Sequence, residues 1–389
     1  MHSVRINRKG ADRLRSGHPW IFTSDVVERG EAQPGDPVKV IDPRNEALGT
    51  AHFSSTSQIT LRMLTRSTNV EIGRAFYLDR IRAAAAHRKL VVPQDSSAYR
   101  LVHGEGDLLP GLIIDRYGDQ HFVLQALSQG MDKAQPQILE ALVELFNPQG
   151  IVARNDAAVR KHETLATETT IAHGEIPPRV AFTLNGLQLE ADLLHGQKTG
   201  IFLDQRENYK AAARYARGRA LDCFTSTGGF ALHLAQNCET VEAVDSSALA
   251  LEVAQSNATR NGISNINWKQ GDVFDLLSNY SRMRANFDTI VLDPPAFAKS
   301  RSTVDAALRG YKDINLRALR LLAPGGILVT CSCSHHVSEA DLLGVVAEAA
   351  LDSGRTLRVL ERRAQSQDHP ILLTVPETLY LKCLILQVV

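Results

Sequence analysis

Two short stretches of this chain gather residue types able to hold and attack a flat base. One is Asp293-Pro294-Pro295-Ala296-Phe297; the other is Thr330-Cys331-Ser332-Cys333-Ser334. Each follows an apolar run, Thr289-Ile290-Val291-Leu292 or Ile327-Leu328-Val329, that reads as a buried strand. Both therefore place polar groups at strand C-termini, the edge at which open α/β sheets bind their ligands. A carboxyl, a proline-stiffened loop and a thiol in one crevice can grip a base, protonate it and attack it covalently. That chemistry suits methylation of a pyrimidine carbon. Residues two apart in a strand face the same way, so Cys331 competes with Cys333 as nucleophile, and position favours Cys333. An ordinary cysteine is only about 3% thiolate at pH 7. Lowering its pKa by about two, roughly 2.7 kcal/mol of preferential anion stabilisation, calls for a helix N-terminus or a nearby cation.

A second group of residues suits a nucleoside cofactor. The strand Leu221-Asp222-Cys223-Phe224 runs into Thr225-Ser226-Thr227-Gly228-Gly229-Phe230 and then an apolar helix, so backbone can approach a ligand closely at a helix N-terminus. The pattern is not GxGxxG, which disfavours a dinucleotide. Asp245 ends the next strand, placed for ribose hydroxyls, and Asp272 ends the third, placed for an adenine amino group. Taken singly, Gly-Gly after a strand reads as a plain turn and a lone Asp there as a helix N-cap. Their joint appearance, in order on successive strands, points to S-adenosylmethionine.

These residues need a parallel sheet to position them, and the second half of the chain supplies one. From about residue 180, after a hairpin-like Asn185-Gly186, apolar strands alternate with helical patterns. Ile371-Leu372-Leu373 and Leu379 to Val388 lack an intervening helix and read as a terminal antiparallel hairpin. Residues 1–72 alternate short apolar runs with Gly, Pro and Asn, as a small β-barrel does. Residues 73–97 form a helical linker, and 98–180 a small β-β-α-β unit ahead of the domain at 181–389. The 389 residues are 44% hydrophobic and 22% charged, ordinary globular values with no tract long enough to span a bilayer. No secretory segment opens the chain, so the expected location is cytoplasmic. Five scattered cysteines argue against a disulfide framework or a metal site. Lys+Arg and Asp+Glu both total 43, so any nucleic-acid surface must come from local clusters such as Arg5, Arg8, Lys9 and Arg13, near Trp20. The competing reading is a solvated basic face with Trp20 and Phe22 in the core.

The ordered motifs resemble the bacterial large-subunit ribosomal-RNA cytosine-C5 methyltransferases that carry an N-terminal PUA domain. The likeness covers nearly the whole chain: Lys9-Gly10 with His18-Pro19-Trp20-Ile21-Phe22, Gly104 to Leu112, Val159-Arg160-Lys161, His195 to Arg206, Thr227 to Phe230, Asp293 to Phe297 and Gly310 to Asn315. The resemblance implies a PUA barrel, a β-β-α-β-β connector and a Rossmann-like class I methyltransferase domain, an α/β fold. It also implies large-subunit ribosomal RNA as partner, without membrane or metal and with a homodimer left open. Carried over by position, Gln197, Lys198, Thr199, Phe202, Asp204 and Arg206 would close over the cofactor. Asp222, Phe224, Thr227, Gly228, Gly229, Asp245, Ser246, Asp272, Val273, Asp293 and Pro294 would line its site. The motif cysteine falls on Cys333, with Asp293 holding the cytosine edge, Pro295, Phe297 and Lys299 near the base, and Arg5 and Lys9 on RNA phosphates.

Two departures qualify the likeness. Pro295 is followed by Ala296 rather than Cys, so no second cysteine can serve in product release there. His335-His336 follow Ser334, where the family has a small residue. Methylation of guanine N7 or another base nitrogen, which needs no thiol, is the alternative reaction, and a silent RNA-binding protein that keeps the cofactor as a structural ligand is the alternative of another class.

Overall fold

The computed structural model describes residues 1–196, 198–298 and 300–389, so Gln197 and Lys299 lie outside the described residues. The chain forms two compact units that interleave in sequence. One comprises Met1–Gly186, Ala191–Ile201 and Gln367–Thr378, the other Leu187–Glu190, Phe202–Ser366 and Leu379–Val389.

In the first unit, strands β1 (Ser3–Ile6), β2 (Trp20–Phe22), β3 (Val26–Glu28), β4 (Pro37–Ile41), β5 (Ala47–Phe53) and β6 (Ile59–Thr65) form a sheet in the order β2-β6-β5-β4-β1-β3. Its core is set by alternation: Val38 and Val40 of β4 point inward beside Ile6, Ile21 and Leu61, while Lys39 between them does not. Helix α1 (Arg8–Arg15) begins where the Asn7 side chain accepts the Gly10 N–H at 2.8 Å. Helix α2 (Arg74–Val91) leads to β7 (Tyr99–His103), β8 (Leu112–Tyr117) and β9 (His121–Ala126), then α3 (Gln129–Phe146), β10 (Gly150–Asn155) and β11 (Glu168–Gly174). These strands form a sheet in the order β11-β10-β9-β8-β7. The helix buries Ile138 and Leu142 with Phe122 and Leu124 of β9. Three strands thus precede the helix, one more than the sequence suggested. The missed strand, Tyr99-Arg100-Leu101-Val102-His103, has only a two-residue apolar run, and its Arg100 bonds Asp115 of β8 at 2.8 Å. Strand β12 (Val180–Leu184) runs into Asn185 and Gly186, whose φ values of 50° and 84° are those of a two-residue hairpin turn, and β13 (Leu187–Ala191), which lies mainly in the second unit, follows.

The second unit continues with α4 (Arg206–Tyr215), β14 (Arg219–Cys223), α5 (Gly229–Leu234), β15 (Thr240–Asp245), α6 (Ala248–Arg260), β16 (Ile266–Gln270) and α7 (Val273–Met283). It ends with β17 (Phe287–Leu292), α8 (Val304–Leu321), β18 (Leu322–Ser332), α9 (Glu339–Ser353), β19 (Leu357–Arg363) and β20 (Lys382–Val388). The seven-stranded sheet runs β16-β15-β14-β17-β18-β20-β19. Strands β14 to β18 are parallel, whereas β20 lies antiparallel to both β18 and β19. The terminal hairpin pairs β20 with Leu357–Arg363, not with Ile371-Leu372-Leu373, where Leu373 is 99% exposed. Leu221, Ile290, Leu292 and Leu328 fill the core under Ile314 and Ala318 of α8 and Leu342 of α9. Register levels the sheet edge: Cys223 pairs with Leu292, and Leu292 with Thr330. The loops after β14 and β17 and the Cys-Ser-Cys segment therefore emerge side by side. Among the described residues no helix is long and apolar enough to cross a membrane.

Candidate active site

The loop after β14 is held in three left-handed steps, with φ of 64° at Phe224, 50° at Ser226 and 85° at Gly228. Asp222 organises it from below: its Oδ2 accepts the Thr225 hydroxyl at 2.5 Å and the Ala231 N–H at 2.9 Å. Its Oδ1 is buried and has no hydrogen-bond partner among the described residues. Burial, with the negative charges of Asp293 and Asp245 adding, pushes the Asp222 carboxyl up to about 7. Asp245 is half-buried, with Oδ2 accepting the Ser226 N–H and Oδ1 the Ser247 N–H, both at 2.9 Å. Three carboxyls therefore converge at the sheet edge. That environment fits a ligand carrying a sulfonium and an ammonium group and opposes a pyrophosphate. The residues present suit S-adenosylmethionine on this ground.

Other expected cofactor residues are placed as follows. Gly229 is required by the protein itself, since a Cβ there would lie 2.4 Å from the Tyr209 ring. Thr227 is half-buried in the loop and Ser246 is exposed beyond β15. Asp272 is the N-cap of α7, its Oδ1 accepting from Phe274 N at 2.8 Å and Asp275 N at 3.2 Å. Val273 is in the core. Asp204 is buried and accepts the Tyr380 hydroxyl at 2.9 Å, while the fully buried Arg206 lies 3.3 Å from Glu207. Phe202 is half-buried, and its carbonyl accepts the Tyr209 hydroxyl at 3.2 Å. In the first unit, Lys198 is exposed with φ 51°, and the Thr199 hydroxyl donates to Asp115 at 2.5 Å.

The residues expected to handle the base lie on the neighbouring loops. Gln205 Nε2 donates to Asp293 Oδ1 at 3.0 Å, and Asn208 donates to Gln205 Oε1 at 2.6 Å, which fixes the orientation of the carboxylate. Pro294 is buried and Pro295 exposed. The half-buried Phe297 ring packs 4.7 Å from Tyr311 and 6.2 Å from Phe274. Tyr311 is the centre of a hydroxyl network: its OH lies 2.9 Å from Ser332 Oγ and 3.0 Å from Ser334 Oγ. Ser334 Oγ in turn accepts the Ala298 N–H at 3.2 Å, lacing the Asp293 loop to the cysteine segment. Between the two serines, just past β18, Cys333 is half-buried. Cys331 is fully buried opposite Cys383, and desolvation together with Cys383 and Asp293 pushes its thiol well above the ordinary range. Cys223, Cys238 and Cys383 are buried too. His335 and His336 are exposed.

Sequence reasoning missed Gln205 as an orienter of Asp293 and Tyr311 as the link between the serines. Tyr311 lies in a quoted motif, but nothing local shows that its hydroxyl reaches two residues of a later strand. On the barrel, the expected basic face is largely matched by carboxylates: Arg5 with Glu28 at 3.4 Å, Lys9 and Arg13 with Asp25 at 4.0 and 2.5 Å, and Arg15 with Asp42 at 2.7 Å. Trp20 donates its indole N–H to Glu105 at 2.8 Å. A cavity of about 780 Å³ in the same unit is bordered by Arg66 and Arg80. These two donate to the carbonyls of Leu14 and Leu64 and pair with no carboxylate among the described residues.

Comparison with known proteins follows the same division. A PUA-like domain family matches residues 4–66, and a methyltransferase domain family matches residues 216–369. The chain is 43% identical over 395 residues to ribosomal RNA large subunit methyltransferase I of Tolumonas auensis, covering 100% of this chain and 99% of that one. It is 42% identical to the protein of the same name from Shewanella denitrificans, covering 99% and 100%. Among solved structures it is similar to SMU.776, a protein assigned as a methyltransferase and crystallised with SAH, at a TM-score of 0.86 and 19% identity with both chains covered in full. That last likeness speaks for the fold.

Proposed function

Because the chain belongs to the ribosomal RNA large subunit methyltransferase I family, we propose that it methylates C5 of a cytosine in large-subunit ribosomal RNA through a covalent adduct on Cys333. Its architecture is a PUA-like domain and a class I methyltransferase domain dependent on S-adenosylmethionine. The observation that carries the carbon reaction is the contrast among thiols. Four are buried, and the half-buried one sits at the sheet edge beside the Asp293 loop.

S-adenosylmethionine supplies an electrophilic methyl group on a sulfonium. The Cys333 thiolate adds to C6 and pushes the C5–C6 electron pair to C5, which would bond the methyl as its bond to the sulfonium breaks and the sulfur leaves as a neutral thioether. Asp293, oriented by Gln205, accepts from the N4 amine and passes a carboxyl proton to N3, which offsets the negative charge that addition at C6 develops on the ring. Loss of the C5 proton to solvent then re-forms the double bond and expels the Cys333 sulfur as thiolate. Asp222 and Asp245 would hold the cofactor's cationic end and ribose, and Asp272, whose Oδ1 caps α7, would hold the adenine amino group. The barrel's contribution is RNA affinity, for which the cations bordering its cavity are the available phosphate contacts. A cytoplasmic setting follows from the ribosomal RNA substrate.

The test is a denaturing-gel assay with large-subunit ribosomal RNA containing 5-fluorocytosine, which blocks the last proton loss and traps the adduct. Wild type and Cys331→Ala should form a covalent enzyme–RNA species, and Cys333→Ala should form none. Methylated RNA without an adduct in wild type would replace the carbon reaction with nitrogen methylation.

A further inference from the structure

Strand β20 is apolar along most of Lys382-Cys383-Leu384-Ile385-Leu386-Gln387-Val388, yet it opens with a lysine that is only 5% exposed. Lys382 pairs directly with Ser332 of β18. Its Nζ donates to Ser334 O at 2.7 Å and to Tyr380 O at 2.9 Å. Both acceptors are neutral carbonyls, so these bonds orient the ammonium without cancelling its charge. Burying such a group is unfavourable unless something nearby benefits from the charge. The residue flanked by Ser332 and Ser334 is Cys333.

Among the described residues, the titratable groups that bear on Lys382 and Cys333 include Asp341, Tyr380, His335 and the Tyr311 phenol, whose pKa burial raises and the Cys333 charge raises further. Desolvation pulls the Lys382 ammonium down to about 8, and the negative charges of Cys333 and Asp341 pull it back up. Asp341 is engaged locally, accepting the Ser338 N–H at 2.9 Å and the Ser338 hydroxyl at 2.6 Å in the first turn of α9. The Tyr380 phenol donates to Asp204, and the exposed His335 ring lies 6.0 Å from the Tyr380 ring. We propose that Lys382 is a positioning residue for the reaction: pinned to the Ser334 and Tyr380 carbonyls, its ammonium holds Cys333 as a thiolate at neutral pH. The inference rests on Cys333 being the nucleophile. In this arrangement the thiol proton leaves to solvent, Lys382 keeps its own protons, and the two charges favour each other's ionised form. Once the pH rises past the lysine's own titration, the support fades.

The measurement is the alkylation rate of Cys333 in the full-length protein with iodoacetamide, read by peptide mass spectrometry from about pH 5 to 10. The four buried thiols make Cys333 the readily labelled site. In wild type the thiol should titrate near pH 7, below the ordinary value of about 8.5. Lys382→Met should raise that midpoint by about one and slow alkylation at pH 7 about fivefold, while Lys382→Arg should restore most of the rate. The acid limb of the methyl-transfer pH profile should move up by the same amount in Lys382→Met. A wild-type midpoint at or above about 8.5 overturns the proposal, and that readout needs no variant to fold. Equal midpoints in wild type and folded Lys382→Met overturn it as well. Methyl transfer that survives in Cys333→Ala would instead remove the nucleophile assignment, while the measured coupling between lysine and thiol would stand.

Discussion

Tyr311 puts one hydroxyl between Ser332 and Ser334, and the backbone of Cys333 runs between those two serines. Removing that oxygen takes one hydrogen bond from each serine hydroxyl, leaving Ser334 Oγ with the Ala298 N–H and Ser332 Oγ with the Ser334 N–H. Tyr311→Phe should therefore cost about 1–2 kcal/mol in denaturant unfolding. It should also lower kcat for methyl transfer more than it raises the KM for S-adenosylmethionine, because the loop after β14, proposed to hold the cofactor, is untouched. Residues of this kind mark the limit of what the sequence shows. Asp293, Cys333 and the Gly228 loop were legible because each sits immediately after an apolar run, so a local pattern fixes their place at the sheet edge. Tyr311, Gln205 and Lys382 act through partners on other elements, and no local pattern records which hydroxyl, carboxylate or carbonyl they meet.

At the scale of elements, β19 was invisible for a physical reason. Its sequence, Leu357-Arg358-Val359-Leu360-Glu361-Arg362-Arg363, is that of an edge strand, where charge protects against unwanted pairing. The apolar Ile371-Leu372-Leu373 looked more strand-like but is a surface segment. The end of β14 shows the cost that a functional edge imposes. The Asp222 carboxyl is pushed up to about 7, against about 3.9 when unfolded, with burial the principal cause. A folded value above the unfolded one means that the folded state binds the proton more tightly. This contribution to stability is complete below about pH 4 and is lost as the pH rises through 7. Asp222→Asn keeps an oxygen to accept from Thr225 and Ala231. Chemical unfolding across that window should show a shallower decline in stability for the variant than for wild type.

At the scale of the molecule, the two compact units are built from interleaved segments, and no shift in composition announces where the chain passes from one to the other. Within the first unit, one buried carboxylate binds barrel to connector. Glu163 accepts the Ser54 hydroxyl at 2.7 Å and the Gln129 N–H at 3.2 Å, and it lies 2.8 Å from the Arg62 guanidinium. Ser54 and Arg62 belong to the barrel, and Gln129 opens α3. Glu163→Ala would leave Arg62, only 11% exposed, without its counter-charge. The expected loss is about 3–5 kcal/mol, read as an earlier unfolding transition of this unit, with methyl-donor binding by the other unit retained. For the same reason, deleting residues 1–72 is a poor test of RNA binding, because it removes two of the partners of Glu163.

The order β17-β18-β20-β19 has a further consequence in time. On a translating ribosome, β14 to β18 emerge before β20, and β19 cannot join the sheet until β20 has been inserted beside β18. A nascent chain can therefore assemble the parallel strands β14 to β18 while β18 is still an unpaired edge, with Cys331 uncovered and the lysine beside Cys333 not yet made. In that interval the growing polypeptide is at its most vulnerable to oxidation and to strand-to-strand aggregation. The insertion of a single late strand ends that exposure and completes the proposed reactive centre in one step.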